Sequence, residues 1–151
     1  MIKIICVGKI KEKYLKEAID EYVKRLGKYT KIEIIEVKDY DYNDKTKTLA
    51  AEREQIEKHI DHKDYLITME IEGKQITSEE LAEKVNSIFN TNSNVTFVIG
   101  GSYGLEQSIK DRASFHLSFS KLTFPHQLFR VLLLEQIYRI YKINNNESYH
   151  K

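Results

Sequence analysis

Three glycines follow a short apolar run within residues 94–105, which read NVTFVIGGSYGL. The run is rich in β-branched and aromatic side chains, as is typical of a strand that is buried on both faces. Gly100, Gly101 and Gly104 allow the backbone to turn sharply and to approach another group closely. Open α/β sheets bind ligands where a strand ends in such a turn. The segment therefore predicts a ligand-binding turn, although glycines also serve chain geometry alone.

The glycine spacing excludes the common nucleotide-binding motifs. GGSYG does not match G-x-G-x-x-G, and G-x-x-x-x-G-K-[ST] occurs nowhere in the chain, so a P-loop nucleotide hydrolase is excluded. The first strand-to-helix turn, CVGKIKEK, also lacks the glycine spacing of a dinucleotide fold. A nicotinamide-dependent oxidoreductase is therefore a weak alternative.

Metal and redox chemistry find little support in the sequence. Cys6 is the only cysteine and lies inside the first apolar run, which excludes disulfides and cysteine-based metal sites. His59 and His62 share one helical face, but a third ligand is missing, and we interpret both as surface residues. No metal is expected.

Length and charge limit the possible partners. A chain of 151 residues with 41% hydrophobic content suits a single domain, residues 1–151. The formal net charge of +1 gives no global attraction to nucleic acid. A local group of lysines is either a basic patch or the solvated face of a helix: Lys9, Lys11, Lys13 and Lys16.

The amino terminus and the apolar runs point to a cytoplasmic protein. No run approaches the roughly 18 apolar residues of a membrane span. The first residues, MIKIICVGK, enter a strand pattern directly, without the layout of a signal peptide. We therefore expect no membrane partner.

Apolar periodicity predicts strands that alternate with helices. Strands are expected at 2–7, 32–37, 65 to about 73, 95–99 and 115–119, and helices at 11–26, 49–60, 77–88, 106–112 and 125–141. Residues 38–48 have no apolar period and are predicted to form a polar loop. This alternation indicates an α/β fold with a mainly parallel sheet and helices on both faces.

The predicted helix 125–141 is apolar around most of its circumference. A helix that only packs on a sheet needs one apolar stripe, so this one requires a second partner. A homodimer seam and a deep core within one chain are both compatible with the pattern.

Two stretches together carry a resemblance that covers essentially the whole chain. FVIGGSYGL and LSFSKLTFPHQLFRVLLLEQIYR, preceded by IKIICVGKIKEKYLKEAIDEYVKRL and ITMEIEGK and followed by YHK, resemble the SPOUT methyltransferase superfamily. Within that superfamily, they are most similar to the ribosomal RNA large subunit methyltransferase H family.

The resemblance implies a SPOUT-type α/β fold whose C-terminal part is tied in a trefoil knot and which works as a homodimer. It further implies transfer of a methyl group from S-adenosylmethionine to N3 of a pseudouridine in 23S ribosomal RNA, with the assembled ribosome as the substrate. No metal is implied.

The resemblance also assigns residues. The methyl-donor pocket falls on Met69, Gly100, Phe119, Ser120, Lys121, Leu122, Thr123 and Phe124. His150, on a polar and mobile end, is nominated to orient or deprotonate the base, and its neighbours Tyr149 and Lys151 are nominated to contact the substrate.

Each of two residues in the predicted helix 125–141 has two possible roles. Arg130 could face the substrate or the dimer seam. His126 could favour an anionic group at the helix start or simply bond to nearby backbone. The alternative function is a ribosome-binding module without catalysis, in which the sheet and the lysines of residues 9–16 contact RNA but no methyl donor binds.

Overall fold

The computed structural model describes residues 1–149, in which strands and helices alternate along the chain. The strands are β1 (Ile2–Val7), β2 (Ile32–Val37), β3 (Tyr65–Lys74), β4 (Val95–Ile99) and β5 (Phe115–Leu117). The helices are α1 (Lys13–Leu26), α2 (Lys45–Glu57), α3 (Ser78–Ile88), α4 (Gln107–Arg112) and α5 (His126–Asn144).

The five strands form one sheet in the order β2-β1-β4-β3-β5, and every neighbouring pair is parallel. The sequence-based prediction of a parallel α/β sheet is therefore confirmed. All residues of β1 and β4 are buried, which explains why these two strands are almost continuously apolar. Because the strands are parallel, the carboxyl ends of β4 and β3 lie at the same edge of the sheet.

Helices cover both faces of the sheet. Side chains of α1, α3 and α5 pack into the larger of two hydrophobic clusters, and α2 and α4 pack into the other through Ile56 and Ile109. The capping box that Thr77 and Glu80 predict at the start of α3 is present. No helix within residues 1–149 is long and apolar enough to cross a lipid bilayer.

The predicted polar loop 38–48 is too long, because α2 begins at Lys45. Asp44 caps this helix, and its carboxylate accepts a hydrogen bond from the backbone N–H of Lys47 at 2.9 Å. Thr48 and Glu52 lie on the buried side of α2. The first turns of this helix therefore bury polar side chains, which an apolar period cannot detect.

Helix α5 is covered within one chain over most of its length. Leu133, Leu134, Ile137 and Ile140 are buried in the larger cluster, between the sheet and the neighbouring helices. The deep-core alternative therefore explains these four positions. Leu128, in the first turns of α5, remains 38% exposed.

Candidate functional site

Two segments that are distant in sequence line one cavity at the carboxyl ends of the strands. Residues 99–105, from the end of β4 onward, and all but one of residues 117–126, from the end of β5 onward, border a cavity of about 510 Å³ together with residues of β3. This edge is where open α/β sheets hold their ligands. Seven of the eight residues assigned to the donor pocket line it: Met69, Gly100, Phe119, Ser120, Leu122, Thr123 and Phe124.

Residues 100–104 form a tight turn, which we call the glycine turn, and a hydrogen bond within it joins its two ends. The backbone N–H of Gly104 donates to the carbonyl of Gly101 at 3.0 Å, and Gly104 has a φ of +79°. A Cβ placed on Gly100 would lie only 2.3 Å from the carbonyl oxygen of Gly104. The close approach that glycine permits at position 100 is therefore an approach of the chain to itself, rather than to a ligand.

The second segment presents apolar side chains to the cavity. The Ser120 hydroxyl accepts a hydrogen bond from the backbone N–H of Leu122 at 2.9 Å, which orders the turn. Leu122 is 72% exposed, and the ring of Phe124 lies 6.2 Å from that of Phe129. Lys121 lies in the same segment but is not among the residues that line the cavity. Apolar surface left exposed in a cavity is suited to a flat organic ring.

Polar residues that the sequence analysis did not single out also line the cavity. Glu70 accepts a hydrogen bond from the Thr68 hydroxyl at 2.6 Å and pairs with Nδ1 of His116. Lys110 Nζ lies 3.9 Å from the other oxygen of Glu70. The only sequence signal for Glu70 is that it breaks the apolar run of β3 where the strand leaves the core.

His126 lines the same cavity at the start of α5. Burial lowers the pKa of this imidazole, the nearby positive charge of Arg130 lowers it further, and Asp39 acts in the opposite direction. The side chain is therefore neutral at pH 7, and it can offer one hydrogen-bond donor and one acceptor.

Arg130 is not among the residues that line the cavity, and its side chain forms hydrogen bonds within the chain. Its side chain is 1% exposed, and its guanidinium donates to Glu36 Oε2 at 2.6 Å and to the carbonyl of Gly8 at 2.7 Å. A further bond reaches the carbonyl of Val7 at 3.1 Å. The partners of Arg130 described here are groups of its own chain rather than a substrate or a dimer seam, and the buried guanidinium fastens α5 to the end of β1.

The polar end of the chain is tied to α5 up to Tyr149, in contrast to the expected mobile end. The Tyr149 hydroxyl donates to Glu135 Oε2 at 3.0 Å, and Lys142 pairs with Glu147 at 2.8 Å. Glu135 lies nine positions beyond His126, or about 14 Å along the helix axis at 1.5 Å per residue. Tyr149 is therefore not part of the cavity wall. The nominated His150 and Lys151 lie outside the described residues.

Within residues 1–149, no group of three or more histidine, cysteine, aspartate or glutamate side chains could hold a metal ion. The cavity instead combines apolar walls, backbone groups of two turns and a few charged side chains at its rim.

The parallel sheet and the cavity at its strand ends define an α/β protein with a cavity between two loops. The model of the family described as "Predicted SPOUT methyltransferase" matches residues 1–150, and the chain belongs to this family.

Curated relatives cover the chain almost completely. It is 53% identical over 157 residues to the "Putative ribosomal RNA large subunit methyltransferase H" of Methanococcus maripaludis, with 99% of each chain covered. It is 52% identical over 157 residues to the "Ribosomal RNA large subunit methyltransferase H" of Bifidobacterium adolescentis, again with 99% of each chain covered. The protein of the same name from Caldicellulosiruptor saccharolyticus is 51% identical over 154 residues and the full length of both chains.

A solved structure supports the fold. "The structure of a probable methylase family protein from Haemophilus influenzae Rd KW20" matches with a TM-score of 0.58 and 16% sequence identity, and covers 99% of this chain and 70% of that one. At this identity the likeness concerns the fold alone.

Proposed function

We propose that this protein transfers a methyl group from S-adenosylmethionine to N3 of a pseudouridine in the 23S ribosomal RNA of the assembled ribosome. The proposal rests on the cavity that the glycine turn and residues of the segment 117–126 line together. The chain that forms this cavity belongs to the SPOUT methyltransferase family and is about half identical to relatives named ribosomal RNA large subunit methyltransferase H.

The residues around the cavity fit the methyl donor. Its volume of about 510 Å³ is in the range of cavities that bind small organic ligands. Met69, Leu122 and Phe124 can cover the faces of an adenine ring, and the backbone groups of the two turns can meet its polar edges. When bound, the donor supplies a methyl group activated on a sulfonium.

The contribution of this chain is orientation and proton transfer. Methyl transfer is an in-line displacement, so holding the two reactants in line supplies much of the acceleration. The attacking N3 carries a proton that must leave, with an ordinary pKa of about 9 to 10, which calls for a nearby acceptor. We assign this role to His150 and assign contacts with the RNA to Tyr149 and Lys151. We also propose that Lys121, which lies between the cavity-lining residues Ser120 and Leu122, contacts the donor.

A homodimer belongs to the same proposal. Apolar side chains stay exposed near the cavity, including Ile71, Tyr103 and Leu128. Tyr149 is bound to Glu135, about 14 Å along α5 from His126 and outside the cavity lining of its own chain. A second copy could cover the apolar surface and place its own Tyr149 at this cavity. The trefoil knot of the C-terminal part rests on family membership.

Methylation of ribosomes from a strain that lacks this protein tests the proposal. The purified protein is incubated with these ribosomes and a donor labelled in the methyl group, and the nucleosides of the 23S RNA are then analysed. The expected product is N3-methylated pseudouridine. Ribosome binding without donor binding in calorimetry would instead support the non-catalytic module. Binding of a nicotinamide cofactor alone would support the oxidoreductase.

A further inference from the structure

The carboxylate of Glu135 joins three parts of the chain. Its Oε2 accepts hydrogen bonds from the hydroxyl of Tyr22 in α1 at 2.6 Å and from the hydroxyl of Tyr149 at 3.0 Å. Its Oε1 accepts from Nε of Arg139, one turn further along α5, at 2.6 Å. Both oxygens are therefore used, and one of them holds the last residue that the structure describes.

The ring of Tyr149 is held as firmly as its hydroxyl. It stands edge-on to the ring of Tyr138, with 4.9 Å between the centroids. The guanidinium carbon of Arg139 lies 5.2 Å from the centroid of the Tyr149 ring. The Arg139 guanidinium thus contacts the ring of Tyr149 and the carboxylate that binds its hydroxyl, which leaves Tyr149 little freedom.

A separate pair holds the preceding part of the tail. Glu147 accepts from Lys142 at 2.8 Å and from the hydroxyl of Tyr29 at 2.7 Å. These contacts fix the turn that follows α5, but they end two residues before Tyr149. Tyr149, the last described residue, is therefore held by the contacts around Glu135 and not by this pair.

The two tyrosine hydroxyls remain donors throughout the physiological pH range. Burial and the hydrogen bond to the Glu135 carboxylate both raise the pKa of Tyr149 above its ordinary value. The same two causes raise the pKa of Tyr22. Loss of a tyrosine proton therefore does not break these contacts around neutral pH.

We propose that Glu135 is a positioning residue for methyl transfer. It holds the hydroxyl of Tyr149, a residue that we propose contacts the RNA and that directly precedes the proposed proton acceptor His150 in the sequence. This inference rests on the proposed function. Because Glu135 lies well along α5 from the cavity that we assign to the donor, it affects turnover and leaves donor binding unchanged.

Three single variants test this role. Glu135→Gln keeps the size of the side chain and removes its charge, and Tyr149→Phe removes only one hydroxyl. Tyr22→Phe is the matched control, since it removes a hydrogen bond from the same carboxylate oxygen without touching the tail. For each variant, the dissociation constant of the donor is measured by calorimetry, and turnover on ribosomes is measured at saturating donor.

We expect Glu135→Gln and Tyr149→Phe to lower turnover by about tenfold, since small displacements of a reacting group carry losses of this size. Donor affinity should stay within about twofold of the unmodified protein in both variants, as a loss confined to the transition state requires. The double variant should be no slower than the slower single variant, because both substitutions break one contact. Tyr22→Phe should keep turnover within about twofold.

Normal turnover in both Glu135→Gln and Tyr149→Phe would overturn the inference. Donor affinity that falls in step with turnover would also overturn it, as would a loss in Tyr22→Phe equal to that in Tyr149→Phe. Melting curves and the size of each variant in solution are compared first, and if Glu135→Gln does not fold, Glu135→Asp, which keeps the charge on a shorter side chain, takes its place. A failure of the proposed function is distinguishable, because the unmodified protein itself would then not methylate ribosomes.

Discussion

Arg130 in α5 and Glu36 near the end of strand β2 form an ion pair, with 2.6 Å between Nη1 and Oε2, although the two residues are 94 positions apart. The carboxylate of Glu36 also accepts from the backbone N–H of Ile10 at 2.9 Å. The guanidinium adds bonds to the carbonyls of Val7 and Gly8. This cluster fastens the start of α5 to the carboxyl ends of β1 and β2.

Replacement of Arg130 by methionine should therefore destabilise the protein. The substitution removes the guanidinium from two buried carbonyls and takes away the charged partner of the Glu36 carboxylate, and we expect the free energy of unfolding to fall by about 2–4 kcal/mol. Urea denaturation measures this change. A variant that keeps full stability but loses ribosome methylation would return Arg130 to a role in substrate contact.

Gly100→Ala should open the glycine turn. The added Cβ would lie 2.3 Å from the carbonyl oxygen of Gly104, so the turn must move, and we expect donor affinity to fall by at least about tenfold. Gly27→Ala is the matched control, because Gly27 has a right-handed backbone conformation at the end of α1. Alanine at position 27 should leave donor binding unchanged and stability equal or slightly higher. Calorimetry with the donor and thermal melting check both variants.

Leu122→Ala should weaken donor binding without affecting folding. The side chain is 72% exposed while it lines the cavity, so its loss removes contact with the ligand but little core packing. We expect donor affinity to fall by about tenfold, equivalent to about 1.4 kcal/mol, and the free energy of unfolding to stay the same. Tyr14→Ala, at an exposed residue of α1 that is outside the cavity lining, should change neither quantity.

The pH dependence of stability should depend on Glu52. Its side chain is buried, its Oε2 accepts from the backbone N–H of Tyr40 at 3.2 Å, and its Oε1 has no hydrogen-bond partner among the described residues. Burial raises the pKa of this carboxyl in the folded state above its unfolded value. The unfavourable contribution of the charged form is therefore fully present above the folded pKa and disappears as the pH falls below the unfolded pKa of about 4.3.

Glu52→Gln removes this charge and keeps an acceptor for Tyr40. Relative to the unmodified protein, the variant should gain stability at pH 7, and the gain should shrink as the pH approaches 4. Glu54→Gln, at an exposed position of the same helix, provides the comparison and should show no such trend. Denaturation curves at several pH values measure both. A constant difference across this pH range would contradict the assignment.

The sequence by itself determined the fold class, the order of the elements and the family. Apolar residues that repeat every two or about 3.6 positions identify strands and helices locally, and the predicted strands agree with β1 to β5 to within one residue except that β5 ends at Leu117. The glycine turn and the segment after β5 could likewise be recognised as motifs, because each is continuous in the chain. These signals are local, and a local pattern is visible without coordinates.

Only the tertiary structure decided what the buried polar side chains do. Arg130 bonds with Glu36, and Glu135 with Tyr22, across 94 and 113 positions, and a buried polar group must find such a partner wherever the fold brings one. Nothing in the residue types near Arg130 distinguishes a substrate contact from an internal ion pair. The tail up to Tyr149 is held for the same reason, because its partners are side chains of α5 and the hydroxyl of Tyr29, which lies 118 positions before Glu147.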